Sequence, residues 1–252
     1  MPRAERSTVG LVPFEVTTIE RATAQVLTEV RNRRPTPIRL ANAYCVALAS
    51  KDRKYRDLMN SSGINFPDGT PVVWFMRMDR SLSSQPGRVR GPSLFNEILD
   101  KGRNEGVRHF FLGTTNETLE ILASKLTTRY PGLEISGTYA PPFGQLDGKF
   151  LADCQNQVSQ TEANVVWVAL GTPKQDFAAA KLAPILGMPT IGIGAAFDFA
   201  AGTTREAPAI VQRVGLEWAF RLLSEPKRLW RRYLFGNLIF IRAASRSHRA
   251  AR

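Results

Sequence analysis

What most constrains this chain is a recurring order. A short apolar or β-branched run is followed by turn residues and then by a helical pattern. IRLANAY (38–44) precedes CVALASKDRKYRDLMNSS, and RHFFLGTT (108–115) precedes NETLEILASKLTTRYP. LEISGTYAPP (133–142) leads through a Gly/Pro loop to KFLADCQNQVSQT. VVWVALGT (165–172) precedes PKQDFAAAKLAPI, and PTIGIGAAFD (189–198) follows. Strands alternating with helices at this spacing form βαβ units, so an α/β fold with a parallel sheet flanked by helices is expected. With 252 residues, 43% of them hydrophobic, the chain can bury one good core, with or without an appendage.

Glycines close three of these runs, Gly113, Gly171 and Gly194. In an open parallel sheet, ligands settle outside the carboxyl ends of the strands. Glycine there admits a ligand to the backbone, and the next helix offers free N–H groups to phosphate. Three at corresponding ends favour an anionic ligand such as a nucleotide. Gly192-Ile-Gly194-Ala-Ala-Phe197 lacks the third glycine of the dinucleotide fingerprint, which argues against a nicotinamide or flavin enzyme.

Two turns repeat one logic. In FPDGTPVVW (66–74), Thr70 is expected to cap a helix that Pro71 begins, which places Asp68 and Gly69 just outside its N-terminus. In GTPKQD (171–176), Thr172 and Pro173 do the same, with Lys174 and Gln175 in the first helical turn, able to hold phosphate or sugar hydroxyls. In GRVRG (87–91), one of Arg88 and Arg90 is expected to enter a cleft and the other to meet water.

The net charge of +12 is concentrated at one end. Residues 221–252 hold nine Arg and Lys against Glu225, a balance of +8, leaving +4 for the other 220 residues. From residue 215 onward Trp218, Phe220, Trp230, Tyr233 and Phe235 stand beside the cations, and Pro226 interrupts the pattern. This combination suits a helix lying on an anionic membrane surface. Nucleic acid would attract the same charge, but the modest balance of the remaining 220 residues disfavours a nucleic-acid-binding module. Cys45 and Cys154 have no metal-site spacing. The opening MPRAERSTVG lacks the apolar core of a secretory signal, and no apolar run reaches the ~20 residues of a membrane span, so a cytoplasmic location is expected.

Taken in order, these motifs resemble the WecG/TagA/CpsF family of bacterial glycosyltransferases. The likeness rests on Asn42 after a strand, PDGTPVV (67–73), RVRG (88–91), FFLG (110–113), YPGLEISGTYAPPF (130–143), LGTPKQD (170–176), IGIGAAFDFAAG (191–202), REAP (205–208), and GLEWAFRL with EPKRLWRRY (215–233). The resemblance implies a Rossmann-like core over residues 1–212 and a basic, helical, membrane-contacting appendage over 213–252. It implies inverting transfer of a sugar from a UDP-sugar to a polyprenyl-diphosphate-linked acceptor at the inner face of the cell membrane. By position, Asp68 matches the catalytic base, and Asn42, Arg88 and Gln175 match substrate-contacting residues. Arg221, Arg228 and Arg231 match arginines that reach the diphosphate. Leu40 stands where the family has Thr, and Asp176 where it has Glu. No Asp-x-Asp metal motif occurs in the sequence, so the expected reaction needs no metal and no cofactor, with arginines and helix N-termini stabilising the departing UDP.

Overall fold

The computed structural model describes residues 5–250, without the side chains of residues 213, 228, 231–233 and 247–250. The chain opens with an antiparallel hairpin, β1 (Arg6–Val9) and β2 (Val12–Glu15), and then α1 (Ile19–Arg31). There follow β3 (Pro37–Ala41), α2 (Ala43–Lys51), α3 (Arg53–Asn60), β4 (Ile64–Pro67), α4 (Thr70–Arg77) and α5 (Gly91–Gly102). The second half runs β5 (Arg108–Gly113), α6 (Asn116–Arg129), β6 (Glu134–Tyr139), α7 (Gly148–Ser159), β7 (Val165–Ala169), α8 (Lys174–Leu186) and β8 (Thr190–Gly192). Helices α9 (Ala196–Ala201), α10 (Ala209–Arg213), α11 (Glu217–Ser224) and α12 (Pro226–Ala250) complete it.

Six strands form one sheet in the order β4-β3-β8-β7-β5-β6, and every pairing is parallel. The fold is therefore α/β and Rossmann-like, as the alternation predicts. Both faces of the sheet are covered, so the central strands read as continuous apolar runs. In β7, Val165 and Trp167 enter the core on one face, and Val166 and Val168 enter the core on the other. The first face is packed by aromatic edges: the Phe95 ring on α5 lies 4.9 Å from Trp167 at 79°, and Phe111 lies 5.2 Å from Phe197.

Several boundaries differ from the sequence reading. The segment after β3 is two helices, because Asp52 leaves the helical conformation (φ −108°, ψ 113°) and its carboxylate caps α3 at the Tyr55 N–H. Thr70 is the first residue of α4 and not its cap. Gly69 takes that position with φ 120°, a conformation open to glycine. Thr172 likewise makes no cap; α8 follows Pro173 directly. Pro226 does begin a helix, α12, where the missing N–H costs nothing.

Helix α12 shares the core of its neighbours. Phe240 and Ala244 are buried with Val9, Val12 and Phe14 of the hairpin and with Cys45 and Val46 of α2. Phe240 also meets Phe75 edge-on at 5.4 Å.

Candidate active site

Because all six strands are parallel, their carboxyl ends lie on one edge, and most of the candidate residues collect there. Across that edge stand Asp68 after β4, Asn42 after β3, Gly194 after β8, Gly171 after β7, and Gly113 ending β5. Four inter-strand steps separate β4 from β5, roughly 19 Å at the usual strand spacing. The chain leaves β5 toward β6 and leaves β7 toward β8, in opposite directions, so a topological switch point lies between β5 and β7.

Asp68 is held by its backbone. Its N–H donates to the Ala41 carbonyl at 2.9 Å, tying the turn after β4 to the end of β3. Asn42 stands beside the same turn, and a Cβ on Gly69 would lie 3.6 Å from its Cβ. The Asn42 Oδ1 is the N-cap of α2, accepting from the Tyr44 N–H at 3.0 Å. The Asp68 side chain is half-buried, with its carboxyl pushed up to about 6. Burial is the largest cause and the negative charge of Glu217 the next, while Arg90, Arg88 and Arg221 oppose both. At neutral pH it is a carboxylate with an unusually strong affinity for a proton.

The segment carrying the two arginines runs against this turn. The Val89 N–H donates to the Pro67 carbonyl at 2.9 Å, and its side chain is fully buried in the core. Residues two apart on an extended chain share a side, so Arg88 and Arg90 both face away from Val89 and converge. The expectation that they diverge is corrected by one carboxylate. Arg88 Nη1 donates to Glu217 Oε2 at 2.9 Å, and Arg90 Nε donates to Glu217 Oε1 at 2.5 Å. Arg90 also bonds Glu206, and Arg88 reaches the Thr70 hydroxyl at 3.4 Å. Burial opposes the charge of Arg90, but Glu217 and Glu206 more than offset it and hold the guanidinium above its ordinary value.

Arg221 lies one turn beyond Glu217 on α11. Its guanidinium sits 5.7 Å over the Phe199 ring, and its Nε is buried with no acceptor among the described residues. A buried donor without a partner is costly in an empty protein and suits a site that receives an anion. The side chains of Arg228 and Arg231 lie outside the described residues.

Other candidates are engaged elsewhere. Gln175 is buried, and its Oε1 accepts from the Gly194 N–H at 3.1 Å, so these two bond each other. Lys174 turns to the Gly144 carbonyl at 2.8 Å and lies 4.4 Å over the Phe150 ring. Gly113 (φ 126°) is demanded by packing, since a Cβ would fall 2.3 Å from the Ala169 carbonyl oxygen. Gly171 (φ 75°) has open space where a Cβ would be, which leaves room for a ligand. Leu40 is buried in the core. Asp176 is also buried and accepts from the Tyr55 hydroxyl at 2.8 Å.

Sequence reasoning missed Glu206 and Glu217 as site residues and used Arg90 only as the partner of Arg88. One signal existed: Glu217 and Glu225 are the only acids in residues 209–252. On the outer side of α12, Trp230, Leu234, Phe235, Leu238 and Ile241 are exposed and recur at helical spacing, with exposed Arg242 and Arg246 following. No helix among the described residues is long and apolar enough to cross a membrane. Among the same residues no group of three or more His, Cys, Asp or Glu is placed to hold a metal ion.

A family model described as "Glycosyl transferase WecG/TagA/CpsF family" matches residues 8–252. An N-acetylglucosaminyldiphosphoundecaprenol N-acetyl-beta-D-mannosaminyltransferase of Bacillus subtilis (strain 168) is 32% identical over 187 residues, covering 74% of this chain and 70% of that protein. The enzyme of the same name from Bacillus spizizenii is 31% identical over 188 residues, with the same coverage. Among solved structures, a mutant of arylmalonate decarboxylase in a sulfate-associated form aligns over 76% of this chain and 79% of its own, at 13% identity and a TM-score of 0.33.

Proposed function

This chain belongs to the WecG/TagA/CpsF glycosyl transferase family, and from that premise we propose that it transfers a sugar from a UDP-sugar to a polyprenyl-diphosphate-linked glycan, with inversion. The sugar is of the N-acetylmannosamine type, with glucose or a uronic acid as the other candidates, and the product feeds a cell-envelope polysaccharide such as teichoic acid. The names of the two Bacillus relatives support the acceptor class and a β-linked product. From an α-linked nucleotide sugar, a β-linked product requires inversion.

The observation that carries this reading is the half-buried Asp68 carboxyl, raised to about 6, beside three arginines. Inversion needs one base. As the acceptor oxygen bonds the anomeric carbon, its proton passes to the Asp68 carboxylate. The bond from that carbon to the β-phosphate oxygen breaks, and its electron pair leaves with UDP. Arg88 and Arg221 present N–H groups to the negative charge that develops there, a role guanidinium groups fill well because they donate in pairs to phosphate oxygens. Asn42, Lys174, Gln175 and the glycine turns at 113, 171 and 194 are the proposed walls of the donor site, and Arg228 and Arg231 are proposed to extend the arginine set. Neither a metal nor a cofactor has a part in this scheme.

Residues 213–252 are read as an appendage to a 1–212 core that closes the site and rests on the inner face of the membrane. The exposed stripe of α12, bordered by cations, supports that reading. The protein is expected to co-sediment with vesicles containing anionic phospholipid, and binding should fall at least tenfold when Trp230 and Leu234 are both changed to Ser. Equal binding by that variant contradicts the membrane role. The transfer reaction is tested with a panel of UDP-sugars and a short-chain polyprenyl-diphosphate glycan. One donor is expected to yield product at the same rate with and without excess EDTA. No product from any donor contradicts the assigned reaction, and a strict requirement for added magnesium or manganese contradicts the metal-free scheme.

A further inference from the structure

Glu217 has no part in the scheme above, yet among the described residues it is the one carboxylate that bonds both Arg88 and Arg90. The charged groups that face Asp68 come from two elements. The 88–90 segment brings Arg88 and Arg90, and α11 brings Glu217 and Arg221. Glu206 bonds Arg90. Without Glu217, the two guanidiniums that already act on Asp68 would lose a carboxylate that both of them pair with. A bidentate Arg–carboxylate pair is the arrangement they favour, and it would occupy the oxygens needed to accept a proton.

We propose that Glu217 is a positioning residue for the transfer reaction: it clamps Arg88 and Arg90 at 2.9 and 2.5 Å and so keeps their guanidiniums off the Asp68 carboxylate, which stays available as a proton acceptor. The same clamp leaves other N–H groups of Arg88 to meet a phosphate. Glu217 and Arg221 sit one turn apart on α11, so one short helix adjusts the base and supplies a cation for the leaving group. This inference rests on the reading of Asp68 as the base, and its test does not need a substrate.

The test follows the Asp68 carboxyl by ¹³C NMR titration in the substrate-free full-length protein, with the resonance assigned by its loss in Asp68→Asn. The wild type is expected to titrate near 6. In Glu217→Gln, which keeps the shape and removes the charge, the midpoint should fall by about one pH unit or more, the usual effect of uncompensated neighbouring cations. Glu206→Gln, which removes a charge paired among the described residues with Arg90 and not Arg88, should move it less than half as far. In transfer assays the acid limb of kcat/KM should move down by the same amount in Glu217→Gln while its plateau falls, a change that a merely structural role would not produce. A midpoint that is unmoved or raised in Glu217→Gln overturns the proposal. Should that variant not fold, Arg88→Gln reads the same balance from the other side. One guanidinium fewer is expected to raise the midpoint by about half a pH unit or more, and no change overturns the proposal. If the wild type transfers sugar and the midpoint stays put, Glu217's role fails alone. If the titration behaves as stated and no sugar is transferred, the assigned reaction fails instead.

Discussion

Asp68→Asn is expected to lose most of the transfer rate and to gain stability at neutral pH. The rate loss follows from removing the base, since general-base assistance commonly contributes about 10²–10⁴-fold. The gain follows from linkage. The Asp68 carboxyl stands at about 6 in the folded protein against 3.8 for the free group, so between those values the folded state binds the extra proton. Stability is therefore lost as pH rises through that window, and the full cost is present above 6. A difference of that size between the folded and unfolded chain corresponds to about 3 kcal/mol. Access to solvent on one side of a half-buried group reduces this to about 1–2 kcal/mol. Thermal unfolding at pH 7 should show Asp68→Asn more stable than the wild type, with the difference vanishing below about pH 4, where both side chains are neutral. A variant that is slower but no more stable at pH 7 would separate the catalytic claim from the electrostatic one.

Arg90→Ala has the second large effect, and here the loss is structural. Arg90 is 8% exposed and holds both Glu206 and Glu217. Removing one partner of a buried ion pair leaves uncompensated charge and costs about 3–5 kcal/mol. Glu206 and Glu217 retain 38% and 21% side-chain exposure, which places the expectation near about 3 kcal/mol. For a chain of this size that is a fall in Tm of about 6–12 °C. Adding Glu217→Gln to Arg90→Ala should recover part of the loss, because one of the stranded charges is then gone. A double variant no more stable than Arg90→Ala would show that the pair is not what the arginine supports.

The alternation of apolar runs and helical patterns was enough to read the parallel sheet, because a strand buried on both faces announces itself as a run such as VVWVA. The N-terminal hairpin was not legible. RSTV and VPFE are four residues each and partly polar, and they become strands only by packing on α2, α3 and α12. INFP was equally obscure as β4, a four-residue edge strand whose neighbour is β3.

The site was legible in its local parts. Asp68 could be placed just outside a helix N-terminus because Pro67, Gly69 and Pro71 confine the turn around it. Its charge environment could not be placed, because the contacts that define it link positions more than a hundred residues apart. Arg88 and Arg90 pair with Glu217 across 129 and 127 positions. No period or spacing encodes such a contact. Glycine was the ambiguous signal: Gly113 meets the close approach of Ala169, whereas Gly171 faces open space, and both stand in the same Leu-Gly-Thr string.

The proton-acceptor role of Asp68 is tested most directly by the pH dependence of kcat/KM for transfer to the lipid-linked acceptor. The wild-type profile is expected to rise with pH through a midpoint near 6 and then level off, and that limb should be absent from the residual activity of Asp68→Asn. The same limb persisting in the Asn variant would assign the proton transfer to another group and contradict the account.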